Sequence, residues 1–416
     1  MAQSAQVADV AQTPAPTPTA TPTPGPDQSL TLPIAGDNNQ GRTDLPDLIR
    51  SWRDKPLRPP TEHPKLAWTI VPIISSKPST GFKAGAGADA EFNLGQAGTT
   101  RFSSITTSFA YSTNNQLSAG ENFRLYGQEN RWIIEGQNHY SGSSSNNVEF
   151  GTSSTTGSEP KVKYYSLQFI DTYYYRLTRH IYAGGGLYFI RQTDIAPSPE
   201  NSPEWDTSPF RTYSDEHGFS DSVQTAAGPG FAIRFDSRDS QNDATQGYYA
   251  LASFRTFIQG FLGGDSTWSE LYTDVRTYRN LTSDKRHRLA FWGLGTFVTS
   301  GSPPYLSHPT NGGDEIGRSA RGYPEGRFRG NDLLYGEAEY RALLTRNGFL
   351  GFALFLNATT VNNPTTGERL FDSVAVAGGG GLRFLIHKHS RTNFCVDYAL
   401  GQNGSHGLYI SLRDAF

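Results

Sequence analysis

From residue 66 to the C terminus, apolar and polar residues alternate with a period of two, in runs that recur roughly every 15–20 residues. The runs cover 66–75, 82–94, 101–112, 117–127, 131–141, 163–177, 181–193, 222–236, 247–259, 268–280, 286–299, 332–344, 348–361, 373–386, 392–401 and 407–416. Successive side chains on a strand point to opposite faces, so each run predicts a strand with two unlike faces. In 268–280, Glu270, Tyr272, Asp274 and Arg276 oppose Leu271, Thr273 and Val275. In 332–344, Glu337, Glu339 and Arg341 oppose Ala338, Tyr340, Ala342 and Leu344. In 348–361, Leu350, Phe352, Leu354 and Leu356 oppose Ala353, Phe355 and Asn357.

Tight junctions at 128–130, 178–180 and 346–347 interleave with long polar loops at 142–162, 194–221, 301–331 and 362–372. An even number of long strands, about sixteen, with short turns at one end and long loops at the other, is the pattern of a transmembrane barrel. The expected fold is therefore all-β, a 16-stranded antiparallel transmembrane β-barrel over 65–416. A charge on the lipid face of such a barrel costs about 2–4 kcal/mol at the midplane, so the charged faces are expected to line the interior.

The chain before the strands reads differently. Residues 1–44 are Pro- and Thr-rich, with repeated Thr-Pro between Thr13 and Pro26, a spacer that cannot bury a core. This predicts a disordered tail. Asp44 is placed to cap a short helix over 45–54, with Pro46 in its first turn and Leu45, Leu48, Ile49 and Trp52 on one face. That face either packs on the short-turn end of the barrel or forms a plug or partner-docking helix. The N terminus, Met1-Ala2-Gln3-Ser4, has no basic and apolar leader, and Ala-Gln suits the start of a processed exported chain.

Composition fits the pattern. Hydrophobic residues make up 36% of the 416 residues, yet aromatics reach 12%, with 44 glycines. Poor in aliphatics but rich in Tyr, Phe and Gly is what a barrel with one apolar face and aromatic girdles needs. No apolar run approaches the roughly 18 residues of a membrane helix. A net charge of −3 gives no case for nucleic acid as a partner. The single cysteine, Cys395, excludes an intrachain disulfide, and no metal or cofactor site is expected. Metalloprotease, nucleophile-elbow and phosphate-loop motifs are absent. Gly378–Gly381 reads as packing relief in a strand, and His287, His308, His387 and His389 as surface residues.

The longest stretch without strand pattern, 301–330, ends in Ser-Ala-Arg-Gly-Tyr-Pro-Glu-Gly-Arg-Phe-Arg-Gly (319–330). Its glycines allow turns that strain other residues, and its arginines suit carboxylates. It is read either as a loop folded back onto something acidic or as a basic surface loop. Arg321-Gly322-Tyr323, followed by Gly326, Arg327, Phe328, Arg329 and Gly330, resembles the signature of the BamA/TamA superfamily, the outer-membrane assembly and translocation barrels. The resemblance implies that 301–330 is the sixth outer loop, folded into the lumen with Arg321 against acidic residues. Gly336-Glu337-Ala338-Glu339-Tyr340-Arg341 is similar to the family's twelfth-strand motif, which makes Glu339, with Glu337, the candidate partner. The thirteenth strand departs from the family pattern, carrying Asn357 where an acidic residue is usual. This implies a looser latch in which Asn357 accepts a hydrogen bond through its carbonyl oxygen.

Phe235-Asp236-Ser237-Arg238-Asp239 and Gly247-Tyr248-Tyr249 resemble the family's turn after the eighth strand, with Asp236, Arg238 and Asp239 bracing it. Pro72 cannot join a strand ladder fully and marks a weak seam between first and last strands. Phe416, with Leu412, Ile410 and Leu408 at alternate positions, is read as the seam's other edge and as an assembly signal interrupted by Asp414. The family's periplasmic POTRA domains find no room in the 65 or so residues before the first strand. The implied role is insertion or translocation of a client protein or other envelope component at the bacterial outer membrane, with membrane lipid and a client or periplasmic protein as partners. The alternatives are a diffusion channel or membrane anchor and, with least support, a barrel enzyme.

Overall fold

A computed structural model of the chain describes residues 42–54, 66–77, 81–96, 99–113, 115–154, 160–315, 317–388 and 391–416. The predicted disordered tail lies almost wholly outside them. The fold is all-β, a single sheet of antiparallel strands with two short helices. Among the described residues, no helix is long and apolar enough to cross a membrane. The strands are β1 (Leu66–Lys77), β2 (Gly81–Phe92), β3 (Ser103–Ser112), β4 (Leu117–Tyr126), β5 (Trp132–Ser145), β6 (Lys161–Arg176), β7 (Ile181–Ser198) and β8 (Gln224–Asp236). They continue as β9 (Gly247–Phe257), β10 (Trp268–Asn280), β11 (His287–Gly301), β12 (Asp332–Leu343), β13 (Leu350–Val361), β14 (Ala375–His387), β15 (Thr392–Gly401) and β16 (His406–Leu412). Each strand pairs with its neighbour in sequence, and the sheet rolls until β16 lies beside β1. Among the described residues those two meet at Ser76 and Leu408.

The period-two pattern decides which face turns in. On β12, Glu337, Glu339 and Arg341 are buried, while Gly336 and Ala338 face out. On the outer face Leu356 is 65% exposed and Phe231 55%, joined by Leu354, Val275 and Tyr173. A protein surrounded by water rarely exposes so broad an apolar surface.

Two elements depart from expectation. The β7–β8 connection holds a helix, α2 (Pro209–His217), where only a polar loop was read. Its signals are local: the Ser208 hydroxyl accepts from the Arg211 amide, Pro209 opens the first turn, and Gly218 closes the helix at φ 70°. Phe210 of α2 packs with Phe150 and Tyr305, so the loops after β5, β7 and β11 cap one end of the sheet together. The second departure is the C terminus. β16 stops at Leu412, because Asp414 is caught by Arg383 at 2.5 Å and by Asn393 at 3.0 Å, which turns the chain off the sheet.

The first helix, α1 (Leu45–Trp52), has Asp44 as its cap, accepting from the Asp47 amide at 3.0 Å. Its orientation is not the one its apolar face suggested. Asp47 is the buried residue and meets Lys388 at 2.7 Å, whereas Ile49 and Trp52 are exposed. An ion pair, rather than the leucine and tryptophan stripe, fixes the helix to the β14–β15 turn.

Candidate functional site: an arginine among three carboxylates

The β11–β12 loop, 302–331, descends into the rolled sheet, and its own polar groups give it shape. Asn311 stitches the two arms: its Oδ1 accepts from the Phe328 amide and its Nδ2 donates to the Pro324 carbonyl, both at 2.8 Å. Asp314 accepts from the Arg318 and Ser319 amides. Gly322 has φ 109°, and a Cβ there would stand 2.6 Å from the Ala377 methyl, so no other residue fits this apex.

Arg321 follows from that turn. It is 3% exposed, and its guanidinium donates to Asp397 Oδ2 at 2.7 Å, to Glu339 Oε2 at 2.6 Å and to Glu337. Its carbon end lies 3.5 Å above the centre of the Phe355 ring. Burial opposes its charge, but the three carboxylates outweigh burial and hold its pKa well above the ordinary value. A forked donor between buried carboxylates is a strong, directional contact.

Glu339 also accepts from Arg341 at 2.7 Å, and Arg383 bridges Asp397 and Asp414, both at 2.5 Å. The loop is further tied at Gly322, whose amide donates to the Tyr409 hydroxyl and whose carbonyl accepts from Ser405. Tyr323 donates to the Val376 carbonyl at 2.6 Å. Away from the apex, Glu315 pairs with Arg255 of β9, and Arg318 donates to the carbonyls of Leu412 and Arg413. The loop therefore spans the interior from β9 to β16.

No family model matches the sequence, and no curated protein does. Among solved structures the chain is similar to BamA from Haemophilus ducreyi lacking POTRA domains 1–3, with TM-score 0.55 and 13% identity, over 84% of this chain and 71% of that one. It is similar to CdiB from Acinetobacter baumannii, with TM-score 0.53 and 13% identity over 84% of this chain, and to CdiB from Escherichia coli, with TM-score 0.53 and 10% identity over 85%. The fold is that of the BamA and CdiB barrels. The chain spans 60% and 62% of the length of the two CdiB chains.

On this BamA-like frame, the residues singled out in the sequence fall into three groups. Arg321, Gly322, Tyr323, Glu337 and Glu339 come together as described. Asn357 joins them in a different role: its Nδ2 donates to the Arg321 carbonyl at 3.0 Å, and its Oδ1 finds no partner among the described residues. The charge missing from β13 is supplied two strands on, by Asp397, which the sequence reading did not name. Its alternation with Cys395 and Ala399, all buried, is the signal that places it on the inner face.

The second group is the turn after β8. Asp236 pairs with Arg238 at 3.0 Å and also with Arg101 at 2.9 Å. Asp239 accepts from the Thr245 amide and hydroxyl and reaches across to Arg391 at 3.0 Å. Burial alone would raise the Asp239 pKa, but the Thr245 hydrogen bonds and the Arg391 charge hold it below 3.8.

The third group is corrected at Phe416 and at His308. Phe416 is no seam residue: it folds inward, 5.3 Å from the Trp292 ring centre, and its backbone oxygen accepts from Arg341 at 2.9 Å. Pro72 lies on β1 opposite Ala86 of β2, four residues from the Ser76 contact with β16. His308 is not at the surface. It is buried with its Nε2 3.0 Å from the Tyr213 hydroxyl, and burial and the nearby Arg329 push its pKa down to about 3.

Two outcomes follow from this geometry. Asp397→Ala leaves Arg321 and Arg383 short of a carboxylate and should cost about 3–5 kcal/mol, read as a lower urea midpoint for loss of heat-modifiable migration; an unchanged midpoint contradicts the assignment. Asp239→Asn should cost about 1.5–3 kcal/mol near pH 7. Because the folded-state pKa is depressed, that stabilisation is whole above the unfolded value of 3.8 and fades as the pH falls through the lower folded value. Wild type and variant should converge at low pH, and a constant gap contradicts the pairing.

Proposed function

We propose that this chain is a bacterial outer-membrane protein whose sheet closes as a 16-stranded transmembrane barrel. We read its role as assisting the insertion or translocation of a client protein, or another envelope component, with the β11–β12 loop as its internal control element. The observation that carries this reading is Arg321, seated between Glu337, Glu339 and Asp397 and tied to both β12 and β15. The likeness of the fold to BamA and CdiB supports it, as does the apolar outer face. Membrane lipid is the partner of that face. No chemical reaction is part of the role.

A loop held this way narrows the interior and ties the last strands together. The short β1–β16 contact offers the place where the wall parts most easily. A plain diffusion channel is the second reading, favoured by the space that remains beside the loop.

In planar bilayers the wild type should sit near closed with brief openings, and Arg321→Ala should raise the open fraction severalfold. Vesicles carrying the wild type should also speed the folding of a urea-unfolded barrel protein over empty vesicles. A large, steady wild-type conductance unaffected by Arg321→Ala, with no gain in client folding, would establish the channel instead.

A further inference from the structure

Beside the loop, the interior holds a cavity of about 610 Å³, within the size range of small-ligand sites. Its two sides differ in chemistry. On the side of β9 and β10 the charges are taken up in ion pairs: Arg255 with Glu270 at 3.1 Å, and Arg276 with Asp274. On the side of β5 to β7 one charged residue lines the cavity, Glu135, which is taken up by Arg124 and Arg234, and the other lining positions are neutral. The register places Ser141, Ser166 and Gln192 in one cross-strand row, and His139 and Gln168 in the next, all lining the cavity. Neighbouring strands stand about 4.8 Å apart, so these rows form a grid of amides and hydroxyls, each of which both donates and accepts.

The long-loop end of the cavity adds a second observation. Gln192 and Trp268 line it, 4% and 2% exposed. Gln192 Oε1 and Trp268 Nε1 are buried with no hydrogen-bond partner among the described residues. Buried polar groups are normally satisfied, and these two, one acceptor and one donor, stand unpaired among the described residues beside this end of the cavity. Trp268 is stacked on Phe257 at 4.1 Å with Tyr188 in the same cluster, which sets an aromatic patch next to the amide grid. Among the described residues, seven arginines and seven carboxylates line the space, so the lining carries no excess positive charge to draw an anion.

Amides and hydroxyls in rows, an aromatic patch and no free cation in the grid match one class of small molecule. A sugar presents a rim of hydroxyls, each a donor and an acceptor, around an apolar C–H face. We propose that this cavity is a binding site for a short neutral saccharide. Gln168, Gln192 and Ser166 meet its hydroxyls, and the Tyr188 and Trp268 patch meets its apolar face. The proposal rests on the interior geometry and is independent of what the barrel inserts or transports.

Isothermal titration of the full chain in detergent micelles tests it, with maltotriose and cellotriose as neutral probes and trigalacturonate as the anionic one. Heat-modifiable migration verifies that each sample is folded. At least one neutral trisaccharide should bind saturably, Gln168→Leu/Gln192→Leu should weaken it by about tenfold or more, and trigalacturonate should not compete. Folded wild type that binds neither neutral probe overturns the proposal. So does equal affinity in the double variant, or equal binding of the anionic sugar.

Discussion

A guanidinium is costly to take out of water unless hydrogen-bond acceptors meet it, carboxylates above all, and the structure is arranged around that constraint at Arg321. Removing one partner of a buried ion pair costs about 3–5 kcal/mol, a large share of the 5–15 kcal/mol by which a folded domain is typically stable. The Arg321 partners come from β12 and β15, and the ring beneath it from β13. The loop can therefore occupy the interior only when these strands hold their native register. A one-residue slip would turn Glu337 and Glu339 outward. Register, loop position and interior charge form one cooperative unit.

That unit extends to the chain's end. Arg383 joins Asp397 to Asp414, Arg341 joins Glu339 to the Phe416 backbone, and Arg318 of the loop holds the carbonyls after β16. The last strand is thus paired with β15 and also gripped from inside, by the same charges that hold the loop. The rolled sheet inverts the usual arrangement of a protein in water. Ionised groups gather in the middle, where they satisfy one another, and the outer face carries leucine, valine and aromatic side chains suited to hydrocarbon.

Much of this was legible from residue order, because a strand's two faces are written in alternate letters. The period located nearly every strand, and parity alone put Glu337 and Glu339 inside. Misses occurred where local or long-range chemistry overrode the period. α2 is polar around most of its surface, so its markers are confined to its ends: Ser208, Pro209 and Gly218. β7 runs on to Ser198 because Lys161 of β6 pairs with it there, information that lies in another segment. The last four residues alternate like a strand but obey Asp414, whose partner Arg383 is 31 positions away. Asp397 was hidden for a similar reason: a charge expected on β13 sits on β15, and only the three-dimensional closeness of the two strands makes them interchangeable. The Leu45, Leu48, Ile49 and Trp52 stripe of α1 misled because one buried pair, Asp47 with Lys388, set the helix's orientation.

A double-mutant cycle between Arg321 and Glu339, read by urea unfolding of the full chain, tests the central claim most directly. If the guanidinium is held in the interior by that carboxylate, Arg321→Ala and Glu339→Ala together should cost less than the sum of the two alone, by about 2 kcal/mol or more. Costs that add to within about 0.5 kcal/mol would show that the two side chains do not meet, and the loop would have to be placed elsewhere.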